Sequence, residues 1–118
     1  MRIIYNGNWR ASSHRGFSDY RDDVHYTTTE NDSAEFPFRG TGIEYIAEKH
    51  SELGNVDVFL DGALKCQVSL HLENFPRLSQ VVMFRIVGLS DSAHTIRIVN
   101  KSSATAVIDA FKVYGGGQ

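Results

Sequence analysis

Hydrophobic residues recur in this chain with a period of two almost everywhere, which restricts it to strands. Ala34, Phe36 and Phe38 alternate with Glu35 and Pro37, and Ile43, Tyr45 and Ala47 alternate with Glu44, Ile46 and Glu48. Val56, Val58 and Leu60 alternate with Asp57, Phe59 and Asp61. Successive side chains of a strand point to opposite faces, so each run offers one face to a core. Residues 2–5, 24–28, 64–70, 80–87, 94–100 and 105–113 are further strand candidates, most of them rich in β-branched and aromatic residues. Turn residues stand between the runs at Gly40–Gly42, Gly54-Asn55, Asp61-Gly62, Asn74–Pro76 and Gly88–Ser92. Asp61-Gly62 between two alternating runs is the strongest hairpin signal in the chain. Nine or so short strands with no sustained 3.6-residue period predict an all-β, antiparallel β-sandwich.

Two local features refine that expectation. Residues 46–53 could hold one helical turn, limited by Gly54. Pro37 lacks a ladder donor, so its strand should lie at an edge or carry a bulge. Residues 6–23 form the longest stretch without periodicity and are polar and aromatic, a composition suited to a functional loop on a rigid scaffold.

The chain has 118 residues, enough for one domain whose core needs no covalent staple. Residues 1–114 read as a single module and residues 115–118 as a glycine-rich tail or linker remnant. The net charge of −2 comes without a basic run, so the chain lacks the electrostatic footprint of a nucleic-acid binder. The single Cys66 excludes an internal disulfide and a cysteine-rich zinc site. Strand-like sequence follows Met1 directly, so neither a signal peptide nor a membrane span is read at this terminus. A complete cytoplasmic protein and a module cut from a longer secreted chain would both look like this.

No arrangement of residues points to catalysis. Glu44 and Glu48 share a strand face but lie roughly 13 Å apart at about 3.3 Å per residue. A glycosidase needs its carboxyl groups about 5 to 10 Å apart, one of them with a raised pKa. The bland reading of this pair is a solvated strand face running into a polar loop. Five histidines and many serines occur without a nucleophile-elbow frame. Cys66 falls mid-strand beside Val68 and reads as a buried, inert thiol. Asp22, Asp23, Asp57, Asp61 and Asp109 could supply oxygen ligands to a structural calcium, although the EF-hand spacing is absent.

The aromatic residues suggest binding instead. Trp9, the only tryptophan, lies in a polar context, with Phe17, Tyr20 and Tyr26 following. A flat ring beside Asp, Asn, Arg or His suits a sugar, whose C–H face stacks while its hydroxyls take directional bonds. The alternative is that Trp9 plugs one end of the sandwich.

Six motifs carry a family resemblance. They are Tyr5-x-Gly7-x-Trp9, Asp22-Asp23-Val24-His25-Tyr26-Thr27, Phe36-x-Phe38-x-Gly40-Thr41-Gly42-Ile43-Glu44, Val56-Asp57-Val58-x-x-Asp61-Gly62, Gly88-Leu89-Ser90-x-x-x-His94-Thr95-Ile96 and Ile108-Asp109-Ala110-Phe111. In this order the chain resembles the bacterial carbohydrate-binding modules of the galactose-binding-like, jelly-roll type that are appended to glycoside hydrolases. The resemblance implies a jelly-roll β-sandwich, a polysaccharide or oligosaccharide ligand, and a covalently attached catalytic domain in a larger secreted or cell-surface protein. It implies no enzyme activity of the module's own, no nucleic acid, no membrane and no cofactor beyond that calcium. Within it, Trp9 and Tyr20 would stack on sugar, and Asp22, Asp23, Glu44, Lys49 and His50 would form hydrogen bonds. The competing expectation is a structural or protein-interaction sandwich, which would show an exposed apolar patch or a paired sheet edge.

Overall fold

The structure, a computed structural model, describes residues 3–13, 23–72 and 78–115. Among these residues there are nine strands: β1 (Ile4–Asn6), β2 (Arg10–Ser13), β3 (Asp23–Thr27), β4 (Ser33–Lys49), β5 (Asn55–Leu60), β6 (Ala63–Ser69), β7 (Leu78–Asn100), β8 (Ala106–Ile108) and β9 (Ala110–Tyr114). No helix occurs among the described residues. The chain is an all-β, antiparallel sandwich, as the period-two pattern predicts, and of the jelly-roll type that the family resemblance implies.

Its two longest strands organise the fold. Residues 33–40 of β4 pair with residues 92–99 of β7, which continue to β5 and β6, while β1 flanks the start of β4. Residues 42–49 of β4 pair instead with residues 78–87 of β7 and, on the other side, with β9. Strands β2, β3 and β8 form a second sheet. Strand β8 runs into β9 through Asp109, whose backbone N–H donates to Ile46 O at 2.9 Å. The second half of β4 therefore lies beside the three-stranded sheet.

The switch in partners falls on Gly40-Thr41-Gly42, where one residue of β4 faces a four-residue excursion of β7, Gly88 to Asp91. The turn expected at Gly88–Ser92 does not divide the strand: β7 runs through it, and the signal marks this irregularity. At Gly42 a Cβ would stand 2.6 Å from the Ile86 carbonyl oxygen, so only glycine lets the strands approach there. The core between the layers draws on both sheets and both halves of β4: Val24, Val107 and Ile108 meet Ala34, Phe38, Ile43, Tyr45, Ile96 and Ile98. Fully burying one such branched side chain is worth about 1.5–3 kcal/mol, so the alternating runs hold the layers together.

Asp61 and Gly62 have φ of 51° and 84° and join Leu60 to Ala63 in register, the tight hairpin that the dipeptide predicts. The described β1–β4 ladder stops at Glu35, which leaves Pro37 with β7 as its one strand neighbour. The single helical turn considered for residues 46–53 does not form. Strand β4 continues to Lys49, and only a tight turn follows, with Leu53 N–H donating to His50 O at 3.2 Å. Pairing with β7 and β9 outweighs the weak helical propensity of so short a segment.

Candidate functional site

The second half of β4 carries a flat array of side chains on the sheet face turned away from the core. Cross-strand partners share a face, so three rows can be read from the register. The first row is Val87, Gly42 and Tyr114; the second is Arg85, Glu44 and Lys112; the third is Val82, Ile46 and Ala110. On the intervening positions Ile43, Tyr45 and Ala47 are fully buried, which turns Val82, Arg85, Val87 and Lys112 outward, with Glu44, Ile46 and Tyr114 half-buried between them and Gly42 and Ala110 buried.

The middle row is charged and cross-linked. Glu44 Oε2 accepts a short hydrogen bond from the Tyr114 hydroxyl and lies 3.4 Å from Arg85 Nε. The guanidinium carbon of Arg85 and the ammonium of Lys112 each lie 5.3 Å from the centroid of the Tyr114 ring. Each contact is within cation–π range. Because Gly42 bears no side chain, Tyr114 can lean across that row to reach Glu44. Beside the array is a hollow of 490 Å³, lined by Ile46, Gln80, Ala110, Phe111, Lys112 and Val113. That volume suits a small ligand. The surface combines an apolar floor, directional donors and two exposed cations.

Of the sequence-predicted site residues, Glu44 stands at the centre of this array. Lys49 ends the same strand, where it pairs with Leu78, and His50 follows it, bridging to His71 while its Nδ1 accepts from Glu52 N–H. Trp9 lies elsewhere, near the start of β4. It is half-buried against the core, and its indole N–H donates to Ser33 O at 2.9 Å and Asn6 O at 3.1 Å. Tyr5 packs beside it and stacks on His25 with centroids 4.5 Å apart. Asp23 opens β3 opposite Ser13, but its side chain lies outside the described residues, as do Tyr20 and Asp22.

The expected solvated face of Glu44 and Glu48 needs correction. Only 12% of the Glu44 side chain is exposed, and Glu48 is fully buried. The β4–β7 register shifts between Tyr45 and Ile46 and again between Ala47 and Lys49, so Glu48 falls in an irregularity that turns it inward. Arg85, Lys112 and Tyr114 were not among the predicted residues. Their only sequence signal is polar alternation on the strands containing residues 80–87 and 105–113.

A second polar cluster resembles a nucleophile triad. His94 Nδ1–H donates to Asp61 Oδ2 at 2.6 Å, and Ser92 Oγ lies 3.4 Å from Nε2. Nε2 is closer to the Ser90 carbonyl, at 2.8 Å. A carbonyl and a carboxylate can only accept, so this geometry favours the imidazolium, with a proton on each ring nitrogen. The Asp61 bond, then the Ser90 bond, raise the His94 pKa against the effect of burial. Partial burial works upward on Asp61, but the His94 and Thr95 N–H bonds outweigh it and hold the carboxyl below its usual range. An imidazolium has no lone pair to take a proton from Ser92, so this cluster staples the β5–β6 hairpin to β7.

The calcium expected from the sequence would draw on Asp22 and Asp23, whose side chains lie outside the described residues, and on Asp57, Asp61 and Asp109. Asp57 accepts from Gln67 Nε2, Asp61 is taken by His94 and Thr95, and Asp109 lies between β8 and β9. Among the described residues no three His, Cys, Asp or Glu side chains converge. Cys66 lies mid-strand but is half-buried, not buried as expected; desolvation, then the Asp57 charge, push its thiol pKa up.

Comparison with known proteins places this fold. No protein-family model matches the chain. It is 32% identical over 97 residues to an A type blood N-acetyl-alpha-D-galactosamine deacetylase of Flavonifractor plautii. It is 32% identical over 100 residues to an A type blood alpha-D-galactosamine galactosaminidase of the same organism. These matches take in 82% and 85% of the chain but only 12% and 9% of the relatives. Among solved structures, the CBM36-1 domain of a multidomain xylanase from the hindgut metagenome of Trinervitermes trinervoides has a TM-score of 0.55 at 16% identity. A CBM36 carbohydrate-binding module in complex with calcium and xylotriose has a TM-score of 0.50 at 10% identity. The chain covers 98% of each of these two structures, end to end. The chain has the fold of a carbohydrate-binding module. A family two carbohydrate esterase from Clostridium thermocellum contains the same fold as 30% of its length, with a TM-score of 0.65 at 18% identity.

Proposed function

We propose that the chain is a non-catalytic carbohydrate-binding module that anchors an attached, secreted or cell-surface polysaccharide-active enzyme to its glycan. The observation that carries this reading is the outward face of β9, β4 and β7. Sugar C–H groups would rest on Ile46 and Val82, while Arg85 and Lys112 bond hydroxyls and Glu44 with Tyr114 holds Arg85 in place. Lys49 and His50 would extend the contact along β4. An open site of this kind binds at a Kd of roughly 1 μM to 1 mM, about 4 to 8 kcal/mol. Tethering then raises the local concentration of glycan seen by a linked catalytic domain, without new contacts. The small share of each enzyme relative that the chain matches supports the role of an appended unit.

Affinity electrophoresis of the isolated module through a panel of soluble polysaccharides tests the proposal. Retardation on at least one polymer, weakened at least tenfold by Tyr114→Ala, is expected. Equal mobility on every polymer would defeat it.

A second placement of the glycan rests on Trp9, with Tyr20, Asp22 and Asp23 from the same region, and the half-buried indole favours it. On that reading, glycan shifts tryptophan emission and Lys112→Ala has no effect. A protein-interaction module is the other functional reading, favoured by Leu64, 56% exposed on edge strand β6. It predicts a stable dimer by light scattering.

A further inference from the structure

We infer that the glycan taken by the β9–β4–β7 face is acidic, carrying carboxylate or sulfate groups; this rests on the carbohydrate-binding reading above. The middle row holds two cations and one anion, and the anion is the occupied member. Glu44 keeps only 12% of its side chain exposed, and its Oε2 is shared between the Tyr114 hydroxyl and Arg85. Arg85 keeps 57% of its side chain exposed, and Lys112 is exposed on β9. What faces a ligand across this row is therefore positive.

A neutral sugar needs hydroxyl partners, and Asn, Gln or Ser would serve at lower desolvation cost. A guanidinium and an ammonium flanking an internally neutralised carboxylate form a receptor for an oxyanion. Arginine offers paired donors that match a planar carboxylate or the oxygens of a sulfate. Glu44 and Tyr114 then act as positioning residues that hold Arg85 over the sheet, leaving its outer donors for the ligand. The apolar third row, with Val82 48% exposed, meets the C–H face of the acidic sugar ring. The chain as a whole is anionic at −2, so this patch opposes the overall charge and arises locally from the register of three strands.

The test compares matched polymers by isothermal titration with the intact chain. Polygalacturonate is run against its carboxyl-reduced neutral counterpart, and a sulfated galactan against its desulfated form. At least tenfold tighter binding of an acidic member than of its neutral partner is expected, with affinity falling as salt rises from about 20 to 500 mM. The pair that shows the preference distinguishes carboxylate from sulfate. R85Q and K112Q should each reduce that preference, and the double variant should abolish it. K112Q alters only an exposed side chain, so it keeps the test valid even if R85Q unfolds. Equal or tighter binding of the neutral polymers overturns the acidic inference and leaves the carbohydrate reading standing. Binding to none of the four, with no retardation across the wider panel, overturns both. Equally tight binding of polyglutamate also overturns it, because the face would then be a polyanion patch without sugar recognition.

Discussion

Tyr45→Phe removes one hydroxyl from the seam that holds the site's strand to the rest of the sandwich. Tyr45 is fully buried on β4, and its hydroxyl donates to Val107 O on β8 at 2.6 Å. Phenylalanine keeps the ring and its tilted contact with Phe111, 5.8 Å between centroids, so packing changes little. What is lost is a buried hydrogen bond, and the Val107 carbonyl forfeits that donor. Such a loss costs about 1–3 kcal/mol. Unfolding entropy near 2.1 cal/mol/K per residue over 118 residues is about 250 cal/mol/K, so 1.5 kcal/mol lowers Tm by about 6 °C. Calorimetry gives the shift, and urea unfolding should show a lower midpoint at unchanged slope. Burial also pushes the Tyr45 phenol far up. The unfolded chain releases that proton near its ordinary pKa of about 10, where the folded chain holds it, so stability must fall as pH rises above that value. The variant should lose that part of the alkaline dependence. A Tm within about 1 °C of the parent, with the alkaline limb unaltered, would show that the hydroxyl does not secure β4 to β8.

Gly42→Ala places a methyl group 2.6 Å from the Ile86 carbonyl oxygen, so the β4–β7 pairing must shift at a cost of roughly 1–3 kcal/mol. Thermal melts should detect this together with weaker glycan retention, and an unchanged Tm would contradict the close approach. The His94–Asp61 staple should be strongest between about pH 4 and 6.5. The raised His94 pKa gives stability that is fully present below its ordinary value of about 6.5 and is lost as pH rises through the folded value. The lowered Asp61 pKa gives stability that is present above its ordinary value of about 3.8 and is lost as pH falls through the folded value. In NMR titrations Asp61→Asn should move the His94 midpoint down toward 6.5, whereas an unmoved midpoint would mean the carboxylate is not its partner. Cys66 should react with a disulfide reagent at pH 8 at least tenfold faster in urea than in the folded chain, since burial holds its thiol protonated. Equal rates would contradict that burial.

The fold was legible because its signals are local. Val56, Val58 and Leu60 are buried on β5 just where the alternation places them, and Asp61-Gly62 makes its turn with both φ values positive. Such patterns need only a strand's period of two and the steric freedom of one glycine. Sequence was ambiguous where two local rules competed. Residues 46–49 hold good helix formers, yet pairing with β7, and with β9 at Ile46, keeps them extended. Glu48 illustrates a harder failure. Alternation assigns it to the outer face with Glu44, but a register irregularity against β7 buries it, and that irregularity depends on a strand more than thirty residues away.

The site was less legible for a related reason. Glu44 could be picked out as a polar residue in an apolar run, but its partners Arg85, Lys112 and Tyr114 lie on strands 41 to 70 positions further on. Only the pairing of β4 with both β7 and β9 brings them into one row. Sequence proximity favoured Trp9 with its polar neighbours, because residues close in the chain are the only neighbours a sequence displays. In the fold, the Trp9 N–H is committed to two backbone carbonyls, which leaves the indole ring to pack and not to donate. A sugar at Trp9 would have stacking without the indole's directional bond, whereas the Glu44 row supplies several donors above an apolar floor. On a sandwich whose long strands switch partners, a binding surface is set by register, and register becomes visible only when the partners of each strand are known.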